Sequence, residues 1–163
     1  MLAIAALEGY NINQLDVSTA FLHADVDEDL YMQQPEGFEV QGKHSKLVCK
    51  LKKSIYGLKQ AGRNWNKTLD SWLRDQHFVA SKVDPCLYTL NQDGKFLAIA
   101  IYVDDVFSID NNPAMRKELV KSLGERFKIT DLGEAKWILG MKVEKTVNSI
   151  HLDQEKYVGD VLT

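Results

Sequence analysis

The sequence has little cysteine, little proline and no long apolar run. It contains two cysteines and three prolines in 163 residues. Cys49 and Cys86 stand in strand-like apolar contexts, which predicts small buried thiols in a reducing compartment rather than a disulfide framework or a zinc site. The apolar runs are far too short to cross a bilayer, and the apolar start at residues 1–7 lacks the positive flank of a secretory signal. The composition predicts one globular domain without a membrane segment.

Positive charge is absent from the first forty residues, which carry eight acids and no lysine or arginine. Nine bases fall instead between residues 41 and 74, against a single acid, Asp70. The net charge of the whole chain is −3, which by itself disfavours a nucleic-acid partner. A basic block inside an acidic chain is nevertheless what a surface that follows a phosphate backbone needs, and a solvated basic face is the competing interpretation.

One apolar stretch ends on two adjacent carboxylates. Residues 96–103 are apolar or aromatic, Asp104 and Asp105 follow them, and a second apolar run begins at once. This pattern predicts a buried β-hairpin with a charged tip. Two neighbouring acids at that place are costly unless a cation neutralises them, and Mg²⁺ is typically held by one or two carboxylates. A solvated turn between two core strands is the alternative interpretation, because aspartate is common in turns.

Hydrophobic periodicity predicts the order strand, helix, strand, strand, helix, strand. The elements of this order are a strand at Asn11–Val17, a helix at Gln60–His77, the two strands of the central hairpin at 96–109, a helix from the Asn112 cap to Phe127, and a last strand at Lys136–Glu144. A further strand is expected at 86–90, just before the hairpin. Smaller elements expected are an N-terminal helix ending near Gly9, strands at 30–32 and 47–51, a polar connector at 39–46, a turn at 147–149, a strand at 150–152 and a helix at Gln154–Thr163. The order predicts an α+β, ferredoxin-like (split βαβ) fold, with an antiparallel sheet and helices packed on one face.

A third acid, Asp16, lies near the end of the first predicted strand. Alternation places Asp104 with Tyr102 on one face of its strand, so Asp16 and Asp104 emerge on the same open side of the sheet if the two strands are neighbours. Three carboxylates there would repel one another without divalent cations, and two such ions could clamp both oxygens of a phosphoryl displacement. The positions of the hairpin turn, and with them the role of Asp105, stay open. Backbone N–H groups of residues 18–21 could receive an anion.

Six sequence blocks follow one another at specific spacing. They are QLDVSTAFL at 14–22, YMQQPEGF at 31–38, LKKSIYGLKQAGRNW at 51–65, DPCLY at 84–88, YVDD at 102–105, and FKITDLG at 127–133 leading into ILG at 138–140. A lone Tyr-x-Asp-Asp would be a weak signal, whereas six ordered blocks are specific. With these blocks the chain resembles, over essentially its whole length, the reverse transcriptase domain of copia-type long-terminal-repeat retrotransposons.

The resemblance implies an RNA-directed DNA polymerase that transfers a nucleotide from a dNTP to a primer 3′-OH with two Mg²⁺ ions, for which Mn²⁺ can substitute. The implied partners are an RNA or DNA template with its primer, dNTPs, and the remainder of a Pol polyprotein with integrase and RNase H, but no membrane. The implied location is a cytoplasmic virus-like particle or the nucleus. Residues 1–163 would form a single partial domain, the palm with part of the fingers, while the N-terminal fingers segment, the thumb and RNase H would lie outside it.

The resemblance also implies roles for the acids and their neighbours. Asp16, Asp104 and Asp105 would be the catalytic acids, and they would bind the metal ions together with the carbonyl of Val17. Lys128 would supply a proton to the leaving pyrophosphate, an assignment that the resemblance supports least.

Substrate contacts are implied at two sets of positions. The residues expected at the nucleotide are Ser18, Thr19, Ala20, Phe21 and Gln60. Those expected at the primer and template are Tyr102, Val103, Leu139, Gly140 and Met141, with the basic residues from Lys50 to Lys67. The ring of Phe21 would be a gate against a ribose 2′-OH, and Gly140 would let a backbone approach closely. Core packing is the alternative for Phe21, and a helix-capping role is the alternative for Gln60.

A second hypothesis remains open at this point. The chain would be a catalytically incompetent fragment or a host-retained relic, which folds and binds nucleic acid or a protein partner without polymerising. The three acids favour the enzyme, whereas the segments that the resemblance leaves outside the chain favour the relic.

Overall fold

The structure, a computed structural model, describes residues 1–40, 47–146 and 149–162. The strands are β1 Asn11–Val17, β2 Tyr31–Gln33, β3 Val48–Lys50, β4 Val79–Ala80, β5 Leu87–Gln92, β6 Lys95–Tyr102, β7 Asp105–Asp110, β8 Ile129–Glu134, β9 Trp137–Ile138, β10 Met141–Lys145 and β11 Ile150–Asp153. The helices are α1 Leu2–Glu8, α2 Ala61–Asp75, α3 Pro113–Arg126 and α4 Glu155–Leu162, with a 3₁₀ turn at Ala20–His23. Over these described ranges, no helix has the length and apolar character needed to cross a membrane.

The chain divides into two compact units. The larger unit comprises Met1–Ser18 and Leu73–Thr163, and the smaller unit comprises Thr19–Trp72. The larger unit contains a six-stranded antiparallel sheet in the order β4-β5-β6-β7-β1-β8 and a three-stranded antiparallel sheet in the order β11-β10-β9. The smaller unit contains the antiparallel pair β2-β3. The protein is therefore α+β, with a large antiparallel sheet.

Different elements cover the two faces of the six-stranded sheet. Helix α3 contacts β6, β7 and β8 and buries Met115, Leu119 and Leu123, which are spaced four residues apart and so lie on one face of the helix. On the other face, α1 and the three-stranded sheet join one apolar cluster, whose buried members are Ala5, Ile12, Ala98, Phe107, Ile109, Ala135, Ile138 and Val143. Helices therefore pack on both faces, whereas the sequence predicted helices on one face.

The predicted start of α3 is confirmed at atomic detail. The side chain of Asn112 accepts a hydrogen bond from the Met115 N–H at 3.0 Å, and Pro113 occupies the first helical turn. This cap satisfies one of the N–H groups that a helix leaves without an internal partner, and the fixed φ of proline suits that position. The predicted bounds of β1 and the end of α1 at Gly9 are confirmed as well.

The prediction of one strand over Lys136–Glu144 is wrong. β9 and β10 form a hairpin in which Leu139 and Gly140 are the turn residues, with φ of +50° and +80°. Two-residue hairpin turns favour positive φ at both positions, and glycine adopts it without a steric penalty. A Cβ atom built on Gly140 meets no atom of this chain within 4 Å, so within the protein the positive φ is the feature that requires the glycine.

The last strand of the six-stranded sheet is β8, which the sequence analysis missed. Four of its six residues are exposed, so it lacks the alternation that marks a half-buried strand. Its pairing with β1 also shifts register between Gln14 and Leu15, beside Gly133 in a left-handed conformation. A bulge of this kind interrupts the two-residue period on which the sequence prediction depends.

The expectation of buried thiols is also wrong, because Cys86 is exposed and Cys49 is half-buried, both as free cysteines. The predicted pairing of residues 150–152 is confirmed by β11, which pairs with β10. Most of the predicted connector at 39–46, two residues of the turn at 147–149, and the end of the last predicted helix at Thr163 lie outside the described residues.

Candidate active site

Two carboxylates face each other across β1 and β7. The antiparallel register sets Asp16 opposite Asp105, so both side chains lie on one face of the sheet, with Cα atoms about 4.5–5.5 Å apart. Gln14 Nε2 donates a hydrogen bond to Asp105 Oδ1 at 2.8 Å, and Ser18 Oγ lies 3.5 Å from Asp16 Oδ2. Within the described ranges, neither acid has an ion-pair partner. Like charges directly opposite each other destabilise a strand pair, so this arrangement favours binding of a cation.

Asp104 lies in the turn next to this pair. Tyr102 pairs with Asp105, so Val103 and Asp104 are the two turn residues of the β6–β7 hairpin. The carbonyl of Asp104 accepts the Val17 N–H at 2.8 Å, which ties the turn to the end of β1. The predicted charged hairpin tip is confirmed. The predicted pairing of faces depended on β1 and β6 being neighbours, but β7 lies between them. Asp105 therefore shares the sheet face of Asp16, and Asp104 lies in the turn, where strand alternation does not apply.

The turn holds a strained residue. Val103 has a φ of +56°, and a β-branched residue rarely adopts this left-handed conformation. Thr19 and Leu139 also have positive φ, of 55° and 50°. These are three of the five non-glycine residues with positive φ in the described part of the chain, and each belongs to a segment that the family resemblance places at the nucleotide, primer or template. Strain of this kind concentrates at functional sites.

The donor atoms of the acids suit a hard divalent cation, because Mg²⁺ and Mn²⁺ prefer carboxylate and carbonyl oxygens. Among the residues that the structure describes, however, no three His, Cys, Asp or Glu side chains form a group able to hold a metal ion. The fold thus brings the backbones of Asp16, Asp104 and Asp105 together without gathering their side chains into a finished cage.

The segment after β1 differs from its prediction at one amide. The N–H of Ser18 donates to the carbonyl of Lys128 at 2.8 Å, so the expectation of an available amide fails at Ser18. In the smaller unit, Ala20 is buried, Thr19 is exposed and Phe21 is half-buried. The prediction that backbone N–H groups of this segment bind an anion therefore applies to Thr19, Ala20 and Phe21.

Phe21 packs against another aromatic ring of the smaller unit. The centroids of the Phe21 and Tyr56 rings are 4.4 Å apart, with their planes at 47°. Aromatic rings prefer tilted or offset contacts, so the contact with Tyr56 favours one orientation of the Phe21 ring. Gln60 is half-buried just ahead of α2, where its carbonyl accepts the Asn64 N–H at 3.0 Å. The backbone of Gln60 thus begins the helix, in keeping with the capping alternative for this residue.

The residues predicted at the primer remain accessible. Tyr102, Val103, Leu139 and Gly140 are exposed, and Met141 is half-buried. Single exposed apolar side chains are normal on protein surfaces, so their exposure alone assigns them no function. Their exposure leaves these positions available to a ligand of the larger unit.

Acids in the smaller unit neutralise part of the basic block. Lys50 pairs with Asp29 at 2.5 Å, and Lys53 pairs with Asp25 at 2.6 Å. The lysines at 43 and 46 lie outside the described residues. Exposed pairs of this kind add little to stability, and they reduce the positive charge available to a phosphate backbone.

An ion pair joins helix α3 to β8, the strand that pairs with β1. The Arg116 guanidinium of α3 donates to the carboxylate of Asp131, which also accepts the Gly133 N–H at 2.9 Å. Burial acts to raise the pKa of Asp131, but the hydrogen bonds from Arg116 and Gly133 and the charge of Arg116 outweigh it and hold the pKa below its usual value of 3.8.

Sequence reasoning overlooked the amide of Gln14. Period-two alternation already placed Gln14 on the face of Asp16, which was the available signal. Its partner, Asp105, depends on the register between β1 and β7, and no local pattern encodes that register.

Comparisons with known proteins agree along the whole chain. The family model described as "Reverse transcriptase (RNA-dependent DNA polymerase)" matches residues 1–163. The chain is 44% identical over 165 residues to the retrovirus-related Pol polyprotein from transposon TNT 1-94 of Nicotiana tabacum, covering 99% of this chain and 12% of that protein. It is 35% identical over 162 residues to the retrovirus-related Pol polyprotein from transposon RE1 of Arabidopsis thaliana, covering 99% of this chain and 11% of that protein.

A yeast relative matches over a shorter stretch. The transposon Ty1-NL2 Gag-Pol polyprotein of Saccharomyces cerevisiae is 35% identical over 137 residues, covering 82% of this chain and 7% of that protein. The chain spans 12% or less of the length of these three relatives. No solved structure matches it. The family match and the two plant polyproteins establish that this chain belongs to the reverse transcriptase family of copia-type retrotransposon Pol polyproteins.

Proposed function

We propose that this chain is the palm, with part of the fingers, of a retrotransposon RNA-directed DNA polymerase. The reaction is attack of a primer 3′-OH on the α-phosphate of a dNTP, with release of pyrophosphate. The observation that carries the proposal is the register that sets Asp16 opposite Asp105, with Asp104 in the adjoining turn. Membership of the reverse transcriptase family supports the same reaction.

The strand order supports a ferredoxin-like palm. Within the sheet, β6, β7, β1 and β8 are neighbours in that order, and each pair is antiparallel. β1 is therefore parallel to β6, and β7 is parallel to β8, with one helix between the members of each parallel pair along the chain. Two interleaved crossovers of this type make up the split βαβ plan. We assign the larger unit to the palm and the smaller unit to the fingers.

In this proposal the carboxylates of Asp16, Asp104 and Asp105 and the carbonyl of Val17 hold two Mg²⁺ ions, or Mn²⁺ in their place. When bound, such ions activate the 3′-hydroxyl and stabilise the charge on the leaving pyrophosphate. The chain's own contribution is placement. The end of β1 and the hairpin turn are joined through the backbone, so the acids start from a fixed relative position.

The remaining predicted residues receive substrate roles. Ser18, Thr19, Ala20 and Gln60 contact the incoming nucleotide, and the ring of Phe21 excludes a ribose 2′-OH. The primer and template contact Tyr102, Val103, Leu139, Gly140 and Met141. In the full element, the chain acts beside integrase and RNase H of the same polyprotein, in a cytoplasmic particle or the nucleus.

Primer extension on an RNA template with Mg²⁺ tests the proposal. The comparison is between the wild-type chain and an Asp104→Asn, Asp105→Asn double variant, with Asp93→Asn as a matched control. Asp93 is also an acid in a two-residue hairpin turn, and asparagine tolerates its φ of +50°. We expect extension by the wild type and the control, and a loss of about 10³-fold or more in the double variant.

Two outcomes would contradict the proposal. Equal extension by the wild type and the double variant would remove the acids from the mechanism. Template binding without extension in any of the three chains would favour the alternative, a catalytically incompetent fragment or relic that binds nucleic acid.

A further inference from the structure

Gln14 lies two residues before Asp16, on the same face of β1. We propose that Gln14 is a positioning residue, which holds the carboxylate of Asp105 in the orientation that a divalent cation requires. The inference rests on the proposed function, because it takes Asp105 as a metal ligand.

The contact is short and specific. Gln14 Nε2 lies 2.8 Å from Asp105 Oδ1, at the short end of the range for N–H···O bonds and typical of a charged acceptor. Gln14 stands opposite Phe107, and Asp105 stands opposite Asp16, so the bond runs diagonally between the two strands. The hydrogen bond engages Oδ1 and restricts rotation of the carboxylate, so that in this proposal Oδ2 is the oxygen that binds the metal.

The chemistry of the amide suits this role. Glutamine donates a hydrogen bond without carrying charge, so Asp105 keeps the negative charge that attracts a cation. A lysine or arginine at position 14 would neutralise the acid, and a glutamate would add a third like charge to the face. Carboxylates that bind a metal ion are themselves hydrogen-bonded, and such partners fix the orientation of the ligand.

The opposite side of Gln14 is kept clear. On β8, its partner is Gly133, which has no side chain and sits at the bulge between the two strands. Bulges beside active sites redirect side chains. Gln14 is therefore turned toward β7 and Asp105 without competition from a side chain on β8 at that position.

The competing explanation is that the Gln14 hydrogen bond only strengthens the pairing of β1 with β7. A second hydrogen bond between the same two strands provides a control. Asn13 Nδ2 donates to Asp110 Oδ2 at 3.4 Å, which is also an amide-to-carboxylate contact from β1 to β7. Asn13 points to the opposite face from Gln14. Loss of either amide would weaken the pairing of the strands, but only loss of the Gln14 amide would affect an ion bound at Asp105.

The test is Mn²⁺ binding to the full chain, measured by electron paramagnetic resonance at a temperature where thermal melts show every variant folded. The variants are Gln14→Met, which keeps the shape of the side chain, Gln14→Ala, and the control Asn13→Leu. We expect both Gln14 variants to bind Mn²⁺ about 10- to 100-fold more weakly, the range seen when partners of metal ligands are removed. We expect Asn13→Leu to bind as the wild type does.

An Asp105→Asn variant distinguishes failure of the proposed metal site from failure of the proposed role of Gln14. A wild-type chain without a Mn²⁺ site that depends on Asp105 would overturn the proposed metal site, and the role of Gln14 with it. A site that Asp105→Asn abolishes, but that both Gln14 variants leave unchanged, would overturn the inference alone. Equal weakening by the Gln14 variants and Asn13→Leu would assign Gln14 to strand pairing instead.

Discussion

The two ends of the β1–β7 strand pair both carry carboxylates held by amides, yet they differ in exposure and charge. At one end, Asp105 is half-exposed and stands opposite another acid, Asp16. At the other end, Asp110 is fully buried, stands opposite Asn11, and accepts hydrogen bonds from the amides of Asn11 and Asn13 at 3.3 and 3.4 Å.

This difference separates a structural acid from a functional one. Burial with neutral donors on both oxygens satisfies a carboxylate and stabilises the fold. Partial exposure opposite a like charge lowers stability, and it is retained where a ligand compensates for it. The same strands therefore hold a closed polar site at one end and an open one at the other. Substitution of the acid at the closed end should lower stability and leave activity unchanged, whereas substitution at the open end should lower activity without lowering stability.

The largest effect expected of a single substitution concerns the segment that follows the open end. Phe21 stands five residues after Asp16, and Phe21→Ala should raise incorporation of ribonucleotides relative to deoxynucleotides by about 10- to 100-fold, because a steric check on the sugar is removed. The measurement is the ratio of kcat/KM for the two nucleotides in primer extension. Leu22→Ala, at the adjacent position, is the control. An unchanged ratio of kcat/KM in Phe21→Ala would show that Phe21 serves core packing and not sugar selection.

An intermediate effect is expected at the closed end. Asp110→Ala leaves two amides without their acceptor, so the free energy of unfolding should fall by about 1–3 kcal/mol. Denaturant melts measure this loss. Because Asp110 lies on the far end of the strands, extension at a temperature where the variant is folded should stay at the wild-type rate. A selective loss of activity without a loss of stability would break the distinction between the two ends.

The smallest effect expected is a pH dependence at β8. The pKa of Asp131 is lower in the folded chain than its usual value of 3.8, so its ionised form stabilises the fold above that value. The contribution is lost as the pH falls below 3.8 and through the folded pKa. It is below about 1 kcal/mol, because the carboxylate is partly exposed.

Stability measured between pH 2 and 6 tests this effect. Wild-type stability should fall more steeply than that of Asp131→Asn over the acid part of this range, since the variant has no proton to take up at position 131. Parallel curves would show that the pair between Arg116 and Asp131 contributes nothing.

Local patterns predicted much of the fold, because some elements are encoded by neighbouring residues. The cap at Asn112 and the four-residue spacing of Met115, Leu119 and Leu123 specify α3 without reference to the rest of the chain. The apolar runs on either side of the two acids specify the central hairpin in the same way.

What the sequence could not predict depends on contacts between distant residues. The exposed strand β8 is held in place by pairing with β1, and the turn at Leu139 and Gly140 divides the run that was predicted as one strand. The candidate site followed the same division. The three acids were found from local pattern and family resemblance, whereas the partnership of Asp105 with Asp16 and Gln14 required the register of β1 against β7.

Thermal unfolding with and without Mn²⁺ tests most directly whether Asp16 and Asp105 form a divalent-cation site. Binding to the folded state at 100 times the dissociation constant adds about 2.7 kcal/mol of stability. Mn²⁺ should therefore raise the Tm of the wild type and of Asp110→Asn. It should leave the Tm of Asp105→Asn unchanged, and that variant should be slightly more stable than the wild type in metal-free buffer. An equal rise in Tm for Asp105→Asn and the wild type would contradict the account.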